Sequence, residues 1–211
     1  MNSLKLKTND KLLDVGCGTG RFLSKLSKDV KYDLEIHGCD ISNESLKLCR
    51  ASIPGGTFNL HDLSDALNPI LPKFYFDKII SVQVIQHLEP DKHKIAINKI
   101  LNCLKPEGLL ILELYNHSGL IRKFEQFINN SRHKEIQNGV FYEYRFNYHE
   151  IKKIIKEIDE NFNVRIKGCQ CIPRFIIKRF PFLKKIDIYL SKSFIGKYIS
   201  YYFIAEIYKE R

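Results

Sequence analysis

The stretch that most constrains this chain is Leu12 to Gly20, LLDVGCGTG. Apolar residues and one acid run into glycines at 16, 18 and 20, and Phe22, Leu23 and Leu26 follow at helical spacing. That order reads as a buried strand, a tight turn and a helix N-terminus. Glycines belong where the backbone turns sharply and a ligand must approach with no Cβ in the way. The helix start behind such a turn offers unpaired N–H groups to a polar or anionic partner. The dinucleotide fingerprint needs its third glycine where Arg21 stands, and Gly20 arrives one residue early. The loop is therefore of nucleotide type without being that fingerprint. Another α/β protein with a glycine-rich first turn is the competing reading.

Downstream, strands and helices alternate. Leu34 to Cys39 reads as a second strand closing on Asp40, with Ser42 as N-cap of the next helix and Ile41 and Leu46 at the spacing of a hydrophobic staple. Thr57 to Leu60 is a third strand, followed by His61 and Asp62. Phe76 to Val84 is a fourth, apolar enough to be covered on both faces, and it leads into Ile85-Gln86-His87-Leu88. A helix with Ile97, Ile100, Leu101 and Leu104 on one face is stopped by the turn Lys105-Pro106-Glu107-Gly108, and Leu109 to Leu114 is the fifth strand. The pattern predicts a doubly wound α/β sheet with helices on both faces. In such sheets ligands sit off the carboxyl ends of the strands. Asp14, Asp40, Asp62 and His87 all fall at or just past such ends. An acid at the tip of the second strand can accept from both hydroxyls of a ribose; the plainer role for Asp40 is a helix-leading carboxylate.

The spacing D-x-G-x-G-x-G at Asp14, Gly16, Gly18 and Gly20 resembles motif I of the class I S-adenosylmethionine-dependent methyltransferases. The passage from V-I-Q-H-L to L-K-P-E-G-L-L-I-L-E resembles the fourth-to-fifth strand region of the small-molecule type. The resemblance implies a Rossmann-like seven-stranded sheet, mostly parallel with the last strand reversed, and S-adenosyl-L-methionine as cofactor. It places the cofactor among Asp14, Gly16, Cys17, Gly18, Gly20, Asp40, Ile41, Asp62, Leu63 and Val82, with Asp62 on the adenine amine and Asp65 as its substitute. It implies in-line methyl transfer to a nucleophilic O, N or C. His87 is the leading candidate base, since histidine titrates near working pH; the alternative is a histidine that only orients its loop. No metal is implied.

The resemblance covers residues 11–114 well, and the chain reads as a single domain over 1–211 with 11–114 as its cofactor-binding core. From 115 to 148 regularity thins, with helical character near Leu120 to Ile128, and an irregular passage of this length is usually functional. It is expected to form a substrate lid, with Tyr115, Tyr142, Tyr144 and Arg145 toward the acceptor. Asn147 and Glu150 have capping-box spacing ahead of Ile151, Ile154, Ile155 and Ile158. Phe162 to Cys169 is then a sixth strand and Tyr201 to Tyr208 a reversed last one.

Between them, 172–200 is a basic amphipathic insertion: residues 174–197 hold seven Lys/Arg and a single acid, Asp187, among phenylalanines and isoleucines. It suits a membrane interface, or a helical cover whose apolar side faces the substrate pocket. Charge separates the halves. Residues 1–113 carry 15 Lys/Arg against 14 Asp/Glu, and 114–211 carry 19 against 10. Such a surplus attracts anionic lipid, nucleic acid or acidic small molecules, or simply aids solubility.

The acceptor classes narrow by absence of pattern. Ser81-Val82-Gln83-Val84 stands where amino-methylating base enzymes carry D/N-P-P-Y/F, and neither a Pro-Cys pair nor a paired-glutamate loop is present. A small-molecule or lipid-like acceptor is expected, with a tRNA wobble-uridine enzyme and a non-catalytic binding subunit as alternatives. The six cysteines show no C-x-x-C pair and read as buried apolar residues. The N-terminus lacks a signal-peptide core, so a cytoplasmic location with peripheral membrane contact is expected. Motif I begins at residue 12, so either the C-terminal insertions cover the cofactor or the chain is a fragment.

Overall fold

The computed structural model describes residues 4–29, 33–65, 71–117 and 143–209. Seven strands form one sheet in the order β3-β2-β1-β4-β5-β7-β6. They are β1 (Lys11–Val15), β2 (Glu35–Asp40), β3 (Thr57–Leu60), β4 (Phe76–Val82), β5 (Leu104–Tyr115), β6 (Phe162–Cys169) and β7 (Tyr202–Lys209). The first five run parallel, and β7 is antiparallel to both β5 and β6. The order therefore reverses between β1 and β4, where open α/β sheets hold their ligands.

Successive strand residues point to opposite faces, and the core divides accordingly. Leu12, Ile80 and Ile111 pack with Leu23 and Leu26 of α1 (Arg21–Asp29) and with Leu46 and Cys49 of α2 (Asn43–Ser52). Leu13, Ile79, Leu110 and Leu112 pack on the other face with Ile97, Ile100 and Leu101 of α3 (His93–Cys103) and Ile151 and Ile155 of α4 (Tyr148–Ile158). Each such side chain, fully buried, contributes about 1.5–3 kcal/mol. The caps form as their spacing predicts. Ser42 accepts from the Ser45 N–H at 3.2 Å, and Asn147 with Glu150 makes a capping box.

Three local expectations are corrected. Strand β4 ends at Val82, because Gln83 turns into left-handed backbone (φ 58°) and Val84 is already helical. The Lys105–Gly108 stretch is a bulge inside β5. Pairing begins at Phe76 against Leu104 and resumes at Lys78 against Leu109, with Glu107 at φ 65° and Lys105 Nζ on the Asp77 carboxylate at 2.9 Å. Leu104 thus leaves the helix to start the strand. The Ile41–Leu46 staple does not form, since Leu46 is fully buried while Ile41 is 70 % exposed.

Residues 118–142, including Tyr142 and the Leu120–Ile128 segment, lie outside the described residues. The 172–200 insertion is three short helices: α5 (Arg174–Arg179), α6 (Leu183–Lys192) and α7 (Gly196–Ile199). It is fastened by polar and small groups. The Asp187 carboxylate accepts from the Cys171 and Ile172 N–H groups, both at 2.7 Å. Asn116 Nδ2 donates to the carbonyls of Lys197 (2.8 Å) and Ser200 (3.0 Å). Gly168 lies so close to Gly196 that a Cβ there would stand 2.4 Å from its carbonyl oxygen.

Candidate functional site

The turn after β1 holds Gly16, Gly18 and Gly20 in left-handed backbone, at φ 75°, 51° and 74°. Their surroundings differ. A Cβ on Gly16 would lie 2.2 Å from Val84 Cγ2, and one on Gly20 would lie 2.5 Å from Cys49 Sγ. On Gly18 it would meet nothing within 4 Å among the described residues. The outer two glycines let the loop pack, and the middle one borders open space. The turn is sewn to the tip of β2, with the N–H groups of Gly16 (2.7 Å) and Cys17 (3.0 Å) both donating to the Cys39 carbonyl. Cys17 is buried behind the loop, and that burial pushes its thiol above the ordinary range.

Asp40 ends β2 and ties the two strand tips together. Its Oδ2 accepts from the Gly18 N–H at 2.8 Å and its Oδ1 from the Ser42 N–H at 2.9 Å. A carboxylate has about four acceptor positions, so each oxygen keeps capacity for a further donor. The exposed Ile41 stands next to it. Two residues past β3, Asp62 Oδ1 takes the N–H (2.8 Å) and hydroxyl (2.7 Å) of Ser64. Burial opposes its charge, but those two hydrogen bonds outweigh it and hold the acid below its ordinary range. Leu63 is buried in the core, while Val82 is exposed at the end of β4. Beneath the turn, Asp14 is nearly fully buried. Loss of water, with the nearby Asp40 charge second, lifts its carboxyl to about 7.

The turn after β4 is set by two glutamines that the sequence reading missed. Gln83 donates its N–H to the Glu113 carbonyl (2.9 Å) and its side-chain amide to Glu113 Oε1 (2.8 Å). Gln86 is fully buried. Its Oε1 accepts from the Tyr115 N–H at 3.0 Å, and its own carbonyl accepts from the Tyr144 N–H at 2.8 Å. The buried Nε2 of Gln86 has no hydrogen-bond partner among the described residues. The available signal was a polar side chain inside the apolar run V-I-Q-H-L. These bonds present His87 half-buried, its ring edge-on to Tyr115 with centroids 6.4 Å apart, and Tyr115 stacks on Tyr202 at 5.3 Å.

The structure thus brings His87 and Tyr115 together. Tyr144 is drawn to the start of α4, where its hydroxyl donates to Glu150 Oε1 at 2.8 Å and its ring lies edge-on to His93. Arg145 pairs with Glu143 at 3.7 Å. Among the described residues, no group of three or more His, Cys, Asp or Glu is placed to hold a metal ion.

With this geometry in view, residues 12–108 match a family model described as a methyltransferase domain. Over that stretch, a little under half of the chain, it is similar to methyltransferase domains. The glycine loop fits S-adenosylmethionine, the cofactor that the motif I resemblance implies, by the open space over Gly18 and the bridging Asp40 carboxylate. Among curated relatives, the chain is 28 % identical over 115 residues to the phosphoethanolamine N-methyltransferase of Plasmodium falciparum, covering 54 % of this chain and 42 % of that protein. It is 32 % identical over 111 residues to a cyclopropane-fatty-acyl-phospholipid synthase of Escherichia coli, covering 52 % and 27 %. It is also 32 % identical over 111 residues to a human tRNA N(3)-cytidine methyltransferase, covering 50 % and 29 %. The matched stretch is thus less than half of each relative. A solved SAM-dependent methyltransferase from Archaeoglobus fulgidus shares the fold at TM-score 0.63 and 18 % identity, over 96 % of this chain and 86 % of that one.

Proposed function

We propose that the chain methylates a small-molecule or lipid-like acceptor on oxygen or nitrogen, in the cytoplasm and in peripheral contact with membrane. The observation that carries the reading is the Asp40 carboxylate, held by Gly18 and Ser42 beside the open middle of the glycine turn. S-adenosylmethionine, when bound, supplies a methyl group activated by its sulfonium. Asp40 accepts from the ribose hydroxyls, Ile41 covers the adenine face and Asp62 accepts from the adenine amine through the oxygen that Ser64 leaves. Gly18 admits the amino-acid end, bordered by Asp14, Gly16, Cys17 and Gly20, with Leu63 and Val82 flanking the base. His87 takes the acceptor proton, and Tyr115, with Tyr144 and Arg145 further out, shapes the acceptor side.

Similarity to a phosphoethanolamine and a phospholipid enzyme supports the acceptor class. A second reading, a tRNA acceptor, is favoured by the likeness to a tRNA cytidine enzyme and by the basic second half.

The test is titration calorimetry with S-adenosylmethionine. Asp40→Ala removes two charge-assisted hydrogen bonds at about 1.5 kcal/mol or more each, so affinity falls about 100-fold. Unchanged affinity refutes the cofactor site. His87→Gln keeps cofactor affinity while S-adenosylhomocysteine release slows about 100-fold; equal rates remove His87 as base. Release with phosphoethanolamine or phospholipid, and none with tRNA, separates the two acceptor readings. Binding of cofactor without release under any acceptor leaves a binding subunit.

A further inference from the structure

We propose that α5, α6 and the segments 180–182 and 193–195 form a docking face for an anionic lipid bilayer. Neither α5 nor α6 buries a single residue, although their sequence is rich in apolar side chains. Phe175 is 66 % exposed, Phe182 67 %, Tyr189 76 % and Phe194 73 %, and Ile186, Ile188 and Ile195 are exposed beside them. Large exposed apolar side chains gathered on one solvent-facing segment mark an interaction site.

Charge selects the partner. Arg174, Lys178, Arg179, Lys184, Lys185 and Lys192 are all exposed. The only acid in the segment, Asp187, is turned inward and spent on the Cys171 and Ile172 N–H groups. Outward, the face is therefore cationic with no compensating carboxylate of its own. Cations rimming exposed aromatic and aliphatic side chains are what a helix lying in a headgroup layer presents. A single-stranded RNA surface stacks bases on aromatics along a basic groove. Isoleucines at 186, 188 and 195 serve no stacking role and favour hydrocarbon. Among the described residues no helix is long and apolar enough to cross a membrane, so the contact is peripheral.

Location gives the face a use. β5 and β6 are both antiparallel to β7, so they run the same way. The insertion leaves the carboxyl end of β6, on the sheet edge that holds Gly18, Asp40 and His87. A bilayer docked there lies next to the proposed acceptor side. That use rests on the lipid-like acceptor; the docking itself does not.

The experiment is co-sedimentation of the full chain with vesicles of phosphatidylcholine alone and of phosphatidylcholine mixed with phosphatidylglycerol. The chain should pellet with the mixed vesicles only. Each cation near an anionic surface is worth about 1 kcal/mol, so removing two weakens binding by about 30-fold; K184E/K185E should lose at least that much. F182S/F194S should lose binding as well, and both variants should keep wild-type affinity for S-adenosylmethionine, which reports an intact fold. Pelleting that ignores phosphatidylglycerol, or that both variants retain, overturns the proposal. So does binding of a hairpin RNA by a chain that leaves the vesicles alone. If cofactor affinity is absent while vesicle binding holds, the methyltransferase reading falls and the docking face stands.

Discussion

The segments around motif I and the insertion before β7 use the same residue types in opposite directions. In α1 and α2 the apolar residues Leu23, Leu26, Leu46 and Cys49 are buried on the sheet, and Lys25 and Lys47 face water. In α5 and α6 Phe175, Ile186, Ile188 and Tyr189 face water together with the lysines, and the Asp187 carboxylate turns to the backbone just past β6. Amphipathicity specifies that a helix has two sides; what lies beside it decides which side turns inward. For α1 and α2 the neighbour is a sheet face that needs covering. For α6 it is the end of β6, where the backbone N–H groups of Cys171 and Ile172 need an acceptor, and for α7 it is Gly168, which leaves no room for a large side chain.

The largest effect that tests this contrast is a pair of truncations. Leu46→Ala empties a fully buried position and should cost about 3 kcal/mol of unfolding free energy. Phe182→Ala removes a larger but exposed ring and should stay within about 0.5 kcal/mol. Urea denaturation of both variants reads the difference. A Phe182 cost near that of Leu46 would mean the insertion face is core, and the comparison would collapse.

Next comes Gly16→Ala. Left-handed backbone costs a non-glycine residue about 1–2 kcal/mol, and the clash with Val84 adds about 1–3 kcal/mol of overpacking. The same denaturation experiment should show the sum, and adding Val84→Ala should return only the overpacking part. Full rescue would show that the φ of 75° matters little.

Much of this was legible before any coordinates. Ser42 capped its helix because a short hydroxyl two residues after a strand-ending acid, just ahead of a helical run, has one obvious use, and Asp40 lay at the strand tip for the same local reason. The apolar runs told the strands and their two-sided burial. What failed was non-local. Lys105-Pro106-Glu107-Gly108 reads as a turn, yet Tyr75 N–H reaches the Cys103 carbonyl and starts the pairing upstream, turning it into a bulge. Ile41 and Leu46 had staple spacing, but an extended Asp40 pinned by two N–H groups leaves Ile41 outward. Gln86 stood out only as a polar side chain inside an apolar run, which does not tell its role, since its partners Tyr115 and Tyr144 come from two distant segments.

Asp14 puts a pH dependence on the motif I side. Burial, with Asp40 second, raises its carboxyl from 3.8 to about 7. Between those values the folded protein holds a proton that the unfolded chain has lost, so stability falls as pH rises from about 4 to about 7. His61 and His93 work the other way below pH 6.5, because burial holds both below their ordinary range. The difference between Asp14→Asn and wild type isolates the acid: the variant should gain stability over wild type across that window. A flat difference would mean Asp14 is ionised throughout.

The smaller of the two glycine effects, and the sharpest test of the turn, belongs to Gly18→Ala. Its φ of 51° costs alanine about 1–2 kcal/mol, and among the described residues no neighbour stands within 4 Å to add a clash. Thermal unfolding should therefore move less than for Gly16→Ala. Cofactor affinity should rank the two variants the opposite way, because the added methyl enters the space proposed for S-adenosylmethionine while the Gly16 methyl points at Val84. Calorimetry on both variants, below the temperature where either unfolds, gives that ranking. If Gly18→Ala binds as well as wild type, the open space over the turn is not where the cofactor lies, and Asp40 must be holding something else.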